Sequence, residues 1–250
     1  MPHIKRLRIF AGPNGSGKST FINAIKKKPP LNSFKLGYYI NADDIEQEFK
    51  LSKVLCLDQF GIKISTKEIQ EYFKKSTFAP VKLEKPNLFE NFSVENNCIR
   101  IERGFKMNSY IAADLAEFIR QKMLKYNYSF SYETVMSDDK KIDFLKKAKK
   151  EGYRIYLYYF ATNDPLININ RVKVRVALKG HSVNKEAIEK RYYKSLSHLK
   201  SAIKLSNRAY LFDNSKKEIE LYSEITEGKS VKLVDKKNIP NWFWKYVVGV

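Results

Sequence analysis

Cysteine and histidine are scarce in this chain of 250 residues, with two cysteines, Cys56 and Cys98, and three histidines, His3, His181 and His198. Their spacings fit neither a zinc site nor a disulfide framework. A structural metal and a bridged scaffold are therefore not expected, and reduced thiols in a cytoplasmic setting are. No apolar run reaches the roughly eighteen residues that suggest a membrane span. Met1 to Lys5 leads straight into a strand-like run with no room for a signal peptide, so a soluble protein without a membrane partner is expected. Acidic residues are in deficit, 27 against 47 lysines and arginines, which leaves a formal net charge of +20. Such a charge suits nucleic acid, a phosphorylated small molecule or an acidic protein. The lysines are scattered over surface-facing helix positions, and there is no RGG tract, basic tail or zinc knuckle. Nucleic acid stays open as a partner without being favoured.

What the chain does have is Gly12-Pro13-Asn14-Gly15-Ser16-Gly17-Lys18-Ser19-Thr20, between an apolar run at 7–11 and a helix-like run at 21–27. This is the full G-x-x-x-x-G-K-(S/T) phosphate loop in its strand–loop–helix setting. The glycines let the backbone curl, so that successive N–H groups and the following helix N-terminus point at a phosphate. Lys18 is the residue expected to bridge β- and γ-phosphates. Ser19 stands where a hydroxyl ligand for Mg²⁺ is required, because that ion takes hard oxygen donors and shares them with phosphate. ATP and Mg²⁺ are the expected cofactors, held by residues 12–20.

The rest of the chain alternates strand and helix signals. Short strands are expected at 37–41, 128–134, 153–161 and 208–213, besides the first. Ser137 is the expected N-cap of a helix closed by Gly152, Pro165 opens another helix to about Leu178, and a longer helix follows Gly180. The expected fold is α/β: a P-loop kinase-like, parallel five-stranded sheet covered by helices on both faces, with ligands at the strand carboxyl ends. We expect one domain over 1–250. Residues 50–107 read as an inserted helical cap or lid, where Ser65 and Glu68 form a capping-box pattern. Residues 216–250 read as a C-terminal appendage, with a hairpin around Gly228 and Trp242 to Val248 packing back on the core.

The loop alone suits a transporter-type ATPase, a mechanical ATPase or a kinase. No LSGGQ-like helix start and no guanine-specifying Asn-Lys-x-Asp is present. Acidic residues at strand ends and a late basic helix are how a small-molecule kinase arranges base, metal and lid. Asp43, at the expected tip of strand two, is the candidate base for a substrate hydroxyl, with Asp44 second; an N-cap role for Asp43 is the structural alternative. Glu133 is a candidate to hold Mg²⁺ or a substrate hydroxyl, with Thr134 beside it, and Asn41 and Arg191 are further substrate-side candidates. Arg171 and Arg175, four residues apart on one predicted helix, make a candidate phosphate clamp, and Lys179-Gly180-His181 a candidate closing segment. Asn214, beyond the last strand, is a candidate for the adenine edge, although such a residue is usually a turn former.

In order, AGPNGSGKST, YINADD (Tyr39 to Asp44), FSYETVMS (Phe130 to Ser137), NRVKVRVALKGHSVNKEAIEKRYYKSL (Asn170 to Leu196) and RAYLFDNS (Arg208 to Ser215) resemble the zeta toxin family, more closely its branch described as ABC-type ATPases or kinases. Residues 50–106 lie outside the resemblance. It implies an ATP-dependent kinase with Lys18 on phosphate, Asp43 at the base position, Glu133-Thr134 on the substrate side and Arg171 or Arg175 as lid arginines. It further implies a nucleotide-sugar acceptor such as UDP-N-acetylglucosamine and a small antitoxin partner. A kinase for nucleic-acid ends or RNA and a regulatory ATP-binding module engaging a protein through residues 50–106 are the alternative readings.

Overall fold

The computed structural model describes residues 4–27, 35–102, 104–178, 183–235 and 238–249. In chain order the elements are β1 (Arg6–Ala11), α1 (Lys18–Lys27), β2 (Tyr38–Ile40), α2 (Ala42–Ser52), β3 (Val54–Cys56), α3 (Thr66–Lys75), α4 (Ala79–Lys82), β4 (Phe92–Glu95), β5 (Cys98–Ile101) and α5 (Ser109–Lys125). They continue with β6 (Phe130–Thr134), α6 (Asp139–Lys150), β7 (Arg154–Ala161), α7 (Pro165–Ala177), α8 (Lys185–Leu205), β8 (Arg208–Asp213), β9 (Glu220–Thr226), β10 (Ser230–Leu233) and α9 (Asn241–Phe243). Two compact units emerge, Met1–Leu36 with Ser131–Val250, and Gly37–Phe130.

The main sheet has seven strands where five were expected, and six belong to the first unit in the order β10-β9-β8-β7-β1-β6. β1, β7 and β8 are parallel neighbours, with Ile9 opposite Leu157 and Leu157 opposite Ala209. The additional strands are the C-terminal hairpin. β9 pairs antiparallel with β8, so the hairpin covers that edge. An open strand edge exposes a row of unpaired backbone groups, and the hairpin satisfies them.

Helices cover both faces, as expected. Adjacent strand residues point to opposite faces. On one face Phe21 of α1 sits between Phe160 and Phe212, with ring centroids 5.0 and 4.9 Å away. On the other, the next residue along β7, Tyr159, meets Ser195 of α8 at 2.9 Å through its hydroxyl. Tyr159 is fully buried, and that burial pushes its phenol pKa up. The helix starts are written in capping residues. Asp164 accepts from Leu166 N–H ahead of Pro165, and Asp138, one residue beyond the expected Ser137, accepts from Lys140 N–H. The C-terminal segment does pack back: Trp242 and Phe243 are buried against Tyr222, and the Trp242 indole donates to Asp213 Oδ1 at 3.0 Å.

The second unit mixes helices with a three-stranded antiparallel sheet, β3-β5-β4, that the sequence did not announce. Strands of three or four residues are too short for their alternation to register. α3 carries the expected capping box between Ser65 and Glu68. Glu68 also pairs with Lys122, which holds its carboxyl below the usual range. Phe73 stacks on Phe92 at 4.1 Å between centroids, in the centre of this unit's core. Buried Asp114 accepts from Ser76 Oγ at 2.6 Å and from Ala79 N–H at 2.9 Å, which starts α4.

The cysteine expectation is overturned here. Cys56 and Cys98 are 42 residues apart in sequence but directly opposite across β3 and β5, and they form a disulfide. Spacing carried no sign of it because register, not sequence distance, decides which residues face each other. In the chain-entropy account, closing a loop of that length is worth about 4 kcal/mol. Alkylation of unfolded, unreduced protein should therefore leave both cysteines unlabelled, while prior reduction should expose two thiols and lower the melting temperature. Two labelled cysteines without reductant would remove the bridge.

Candidate phosphate-binding site

β1 lies between β7 and β6, so the loop that leaves its carboxyl end emerges at the middle of the sheet. That loop is residues 12–17, and α1 follows from Lys18. Gly12, Gly15 and Gly17 all have positive φ, at 142°, 75° and 97°. Each also stands where a side chain would collide. A Cβ on Gly12 would lie 2.2 Å from the Phe160 carbonyl oxygen, one on Gly15 2.6 Å from the Asn168 carbonyl oxygen, and one on Gly17 2.3 Å from Asn214 Nδ2. The curl is thus built against the end of β7, the first turns of α7 and the residue after β8.

Lys18 is buried, and its ammonium donates to the Gly12 and Pro13 carbonyls at 2.7 and 2.8 Å. The Asn14 carbonyl accepts from Asn168 Nδ2 at 2.7 Å, and the Ser16 carbonyl from Asn214 Nδ2 at 2.9 Å. Asn168 is fully buried, and its Oδ1 accepts from the Thr162 hydroxyl. Two polar atoms of the loop, Asn14 Oδ1 and Ser16 Oγ, are buried with no hydrogen-bond partner. A buried polar atom without a partner is costly, and a phosphate oxygen in the curl would accept from the Ser16 hydroxyl, whereas the Asn14 amide oxygen can only accept. Ser19 Oγ donates to Glu133 Oε2 at 2.9 Å, so a hydroxyl and a carboxylate stand together at the start of α1. Both are hard oxygen donors, and they fit Mg²⁺ shared with a phosphate. Among the described residues no group of three or more His, Cys, Asp or Glu side chains could hold a metal by itself. Thr20 is exposed in the first turn of α1.

Other expected residues fall in varied places. Thr134 Oγ1 accepts from Met136 N–H at 3.0 Å and shapes the turn after β6. Arg171 is tied down: its guanidinium donates to the Asn214 and Lys216 carbonyls at 2.8 and 2.9 Å. Arg175 is exposed one turn later on α7, and Arg191 is half-buried on α8. Lys179-Gly180-His181 lies outside the described residues. Asn214, expected at an adenine edge, is only 5% exposed and spends its amide on the loop. In the second unit, β2 ends at Ile40 and Asn41 is the N-cap of α2, its Oδ1 accepting from Asp43 N–H at 3.0 Å. Asp43 is therefore not the cap. Its carboxylate is exposed in the first turn, beside Asp44.

Asn168 and Thr162 escaped the sequence reading. The available signal was a polar residue four positions before buried Val172, on the face of α7 that also buries Ile169.

Residues 107–227 match the sequence model of the family described as Zeta toxin. An uncharacterized protein of Haemophilus influenzae is 32% identical over 69 residues, which are 28% of this chain and 49% of that relative. The match thus spans about half the length of the curated relative. Among solved structures, one from the PezAT toxin–antitoxin system of Streptococcus pneumoniae covers 100% of this chain and 80% of its own, at 13% identity and a TM-score of 0.48. The AvrRxo1-ORF1:-ORF2 complex with ATP covers 93% and 61%, at 12% identity and a TM-score of 0.48. Glu133, α7, α8 and the β8–Asn214 junction all lie inside residues 107–227, the part of this chain that is similar to the zeta toxin family.

Proposed function

We propose that the protein transfers the γ-phosphoryl group of ATP to a hydroxyl of a small anionic acceptor, with a nucleotide sugar such as UDP-N-acetylglucosamine as the first candidate. The observation that carries this reading is the glycine curl of residues 12–17, closed against three neighbouring elements while its Ser16 hydroxyl, which can donate to a phosphate oxygen, stays buried and unpaired. Backbone N–H groups of such a curl bind phosphate oxygens, and Lys18 supplies a buried positive charge beside them. Ser19 and Glu133 are the residues that would hold Mg²⁺, which when bound spreads the developing negative charge of a phosphoryl transfer.

The acceptor oxygen forms its bond to phosphorus as the bond to the β–γ bridging oxygen breaks, and the hydroxyl proton needs a base. Asp43 is the residue assigned that role; its exposed carboxylate in YINADD supports it. Arg175 is assigned to the transferring phosphate, since the two backbone carbonyls that hold Arg171 support a structural task for that residue. The excess of basic residues would attract an anionic acceptor. By the same logic an acidic antitoxin protein is the partner we propose. Among the described residues no helix is long and apolar enough to cross a membrane.

Mass spectrometry of the protein incubated with Mg-ATP and a metabolite extract should show one metabolite gaining a phosphate. Asp43→Asn should slow that transfer by about 10²- to 10⁴-fold, the usual worth of a general base, while ATP binding persists. Lys18→Ala should lose both, and turnover retained by that variant would overturn the phosphate-loop assignment. Phosphate appearing only on oligonucleotide ends would replace the small acceptor with nucleic acid. Arg171→Ala should shift the denaturant midpoint, at about 1–3 kcal/mol for two lost hydrogen bonds, whereas Arg175→Ala should act mainly on turnover. The reverse pattern would exchange their roles.

A further inference from the structure

We propose that Asn168 and Asn214 are positioning residues that turn the Gly15 and Gly17 N–H groups toward the bound phosphate. This rests on the nucleotide reading above. Among the described residues no peptide bond is cis, and in a trans peptide unit the carbonyl of one residue and the N–H of the next point in opposite directions in one rigid plane. A side chain that holds the carbonyl therefore sets the direction of the N–H. Asn168 Nδ2 holds the Asn14 carbonyl, which turns the Gly15 N–H away from α7. Asn214 Nδ2 holds the Ser16 carbonyl, which turns the Gly17 N–H away from the end of β8. The two glycines whose N–H groups are aimed are also the two against which these asparagines close, at the distances that forbid a Cβ.

Both asparagines are fixed from behind. The Thr162 hydroxyl donates to Asn168 Oδ1, which settles which end of that amide faces the loop. The Thr162 carbonyl in turn accepts from the Tyr192 hydroxyl of α8 at 2.5 Å. The Asn214 N–H donates to the Ala161 carbonyl at 2.8 Å, and its own carbonyl accepts from Arg171. Each brace is thus a buried side chain whose Nδ2 donates to a loop carbonyl, the Asn168 amide oriented by Thr162 and the Asn214 backbone anchored on both sides. An aspartate of the same shape would set a carboxylate against that carbonyl and push the peptide plane round.

The test uses the full chain, pyrophosphate with Mg²⁺ as the probe, and Asn168→Asp and Asn214→Asp. Circular dichroism and melting in the absence of probe establish that each variant is folded. Isothermal titration should show pyrophosphate binding about 10- to 100-fold weaker in each, the equivalent of one charge-assisted hydrogen bond. Binding should recover as pH falls and the new carboxyl gains a proton, since a protonated carboxyl donates to the loop carbonyl again. Loss of space-filling alone would not follow that pH profile. Folded variants that bind as tightly as the wild type, or weakened binding that ignores pH, would overturn the proposal. Should an aspartate variant fail to fold, Asn168→Ser and Asn214→Ser take its place, and unchanged pyrophosphate affinity in them counts against the brace. A wild-type protein that binds neither pyrophosphate nor ADP overturns the nucleotide reading itself, an outcome separate from equal binding by wild type and variants.

Discussion

The first unit depends on the close approach of three backbones at the carboxyl end of its sheet. Gly12 lies under the carbonyl of Phe160, Gly15 under that of Asn168, and Gly17 against the amide of Asn214. These contacts join segments that are far apart in sequence, and they leave no volume for a side chain at any of the three positions. The parallel pairing of β1, β7 and β8 brings the strand ends level enough for this to happen. The aromatic packing around Phe21 then seats α1 on the same sheet. Much of what surrounds the loop can be understood as holding that approach in register, from the Arg171 bridge to the C-terminal anchor on Asp213.

How much of this could be read from the chain differs by element. β7 is long enough and apolar enough to be buried on both faces, β1 and β8 carry shorter apolar runs, and all three are legible. Helix starts carrying Asp164-Pro165 or Ser65 with Glu68 declare themselves through local chemistry. The three- and four-residue strands β3, β4 and β5 are held by their partners rather than by their own composition, and nothing local marks them. The same reason hid the Cys56–Cys98 bridge, since a register fact cannot be recovered from spacing.

The candidate site divides along the same line. The glycine curl of residues 12–17 was legible because the glycines that shape it stand in one contiguous motif. Asn168 was not, because its importance comes from a carbonyl 154 residues away. Asn214 was noticed for its position after a strand, but its bond to the Ser16 carbonyl was not legible, since a strand-end asparagine gives no sign of which way its amide turns. Arg171 and Arg175 look equivalent in sequence, and only the Asn214 and Lys216 carbonyls separate them.

The first unit is assembled from two stretches that flank the second, and this sets an order in time. During synthesis β1 leaves the ribosome with Arg6, yet its parallel partner β7 begins only at Arg154 and β8 at Arg208. At about 5–20 residues per second, β1 waits on the order of ten seconds or more for its neighbours. The second unit, contiguous in sequence, is complete in the emerging chain well before that wait is over. Because the glycine curl is shaped by Phe160, Asn168 and Asn214, it has no walls until those residues have emerged. The nascent chain thus carries residues 12–17 long before they have walls, and the curl takes its shape only once Asn214 has emerged.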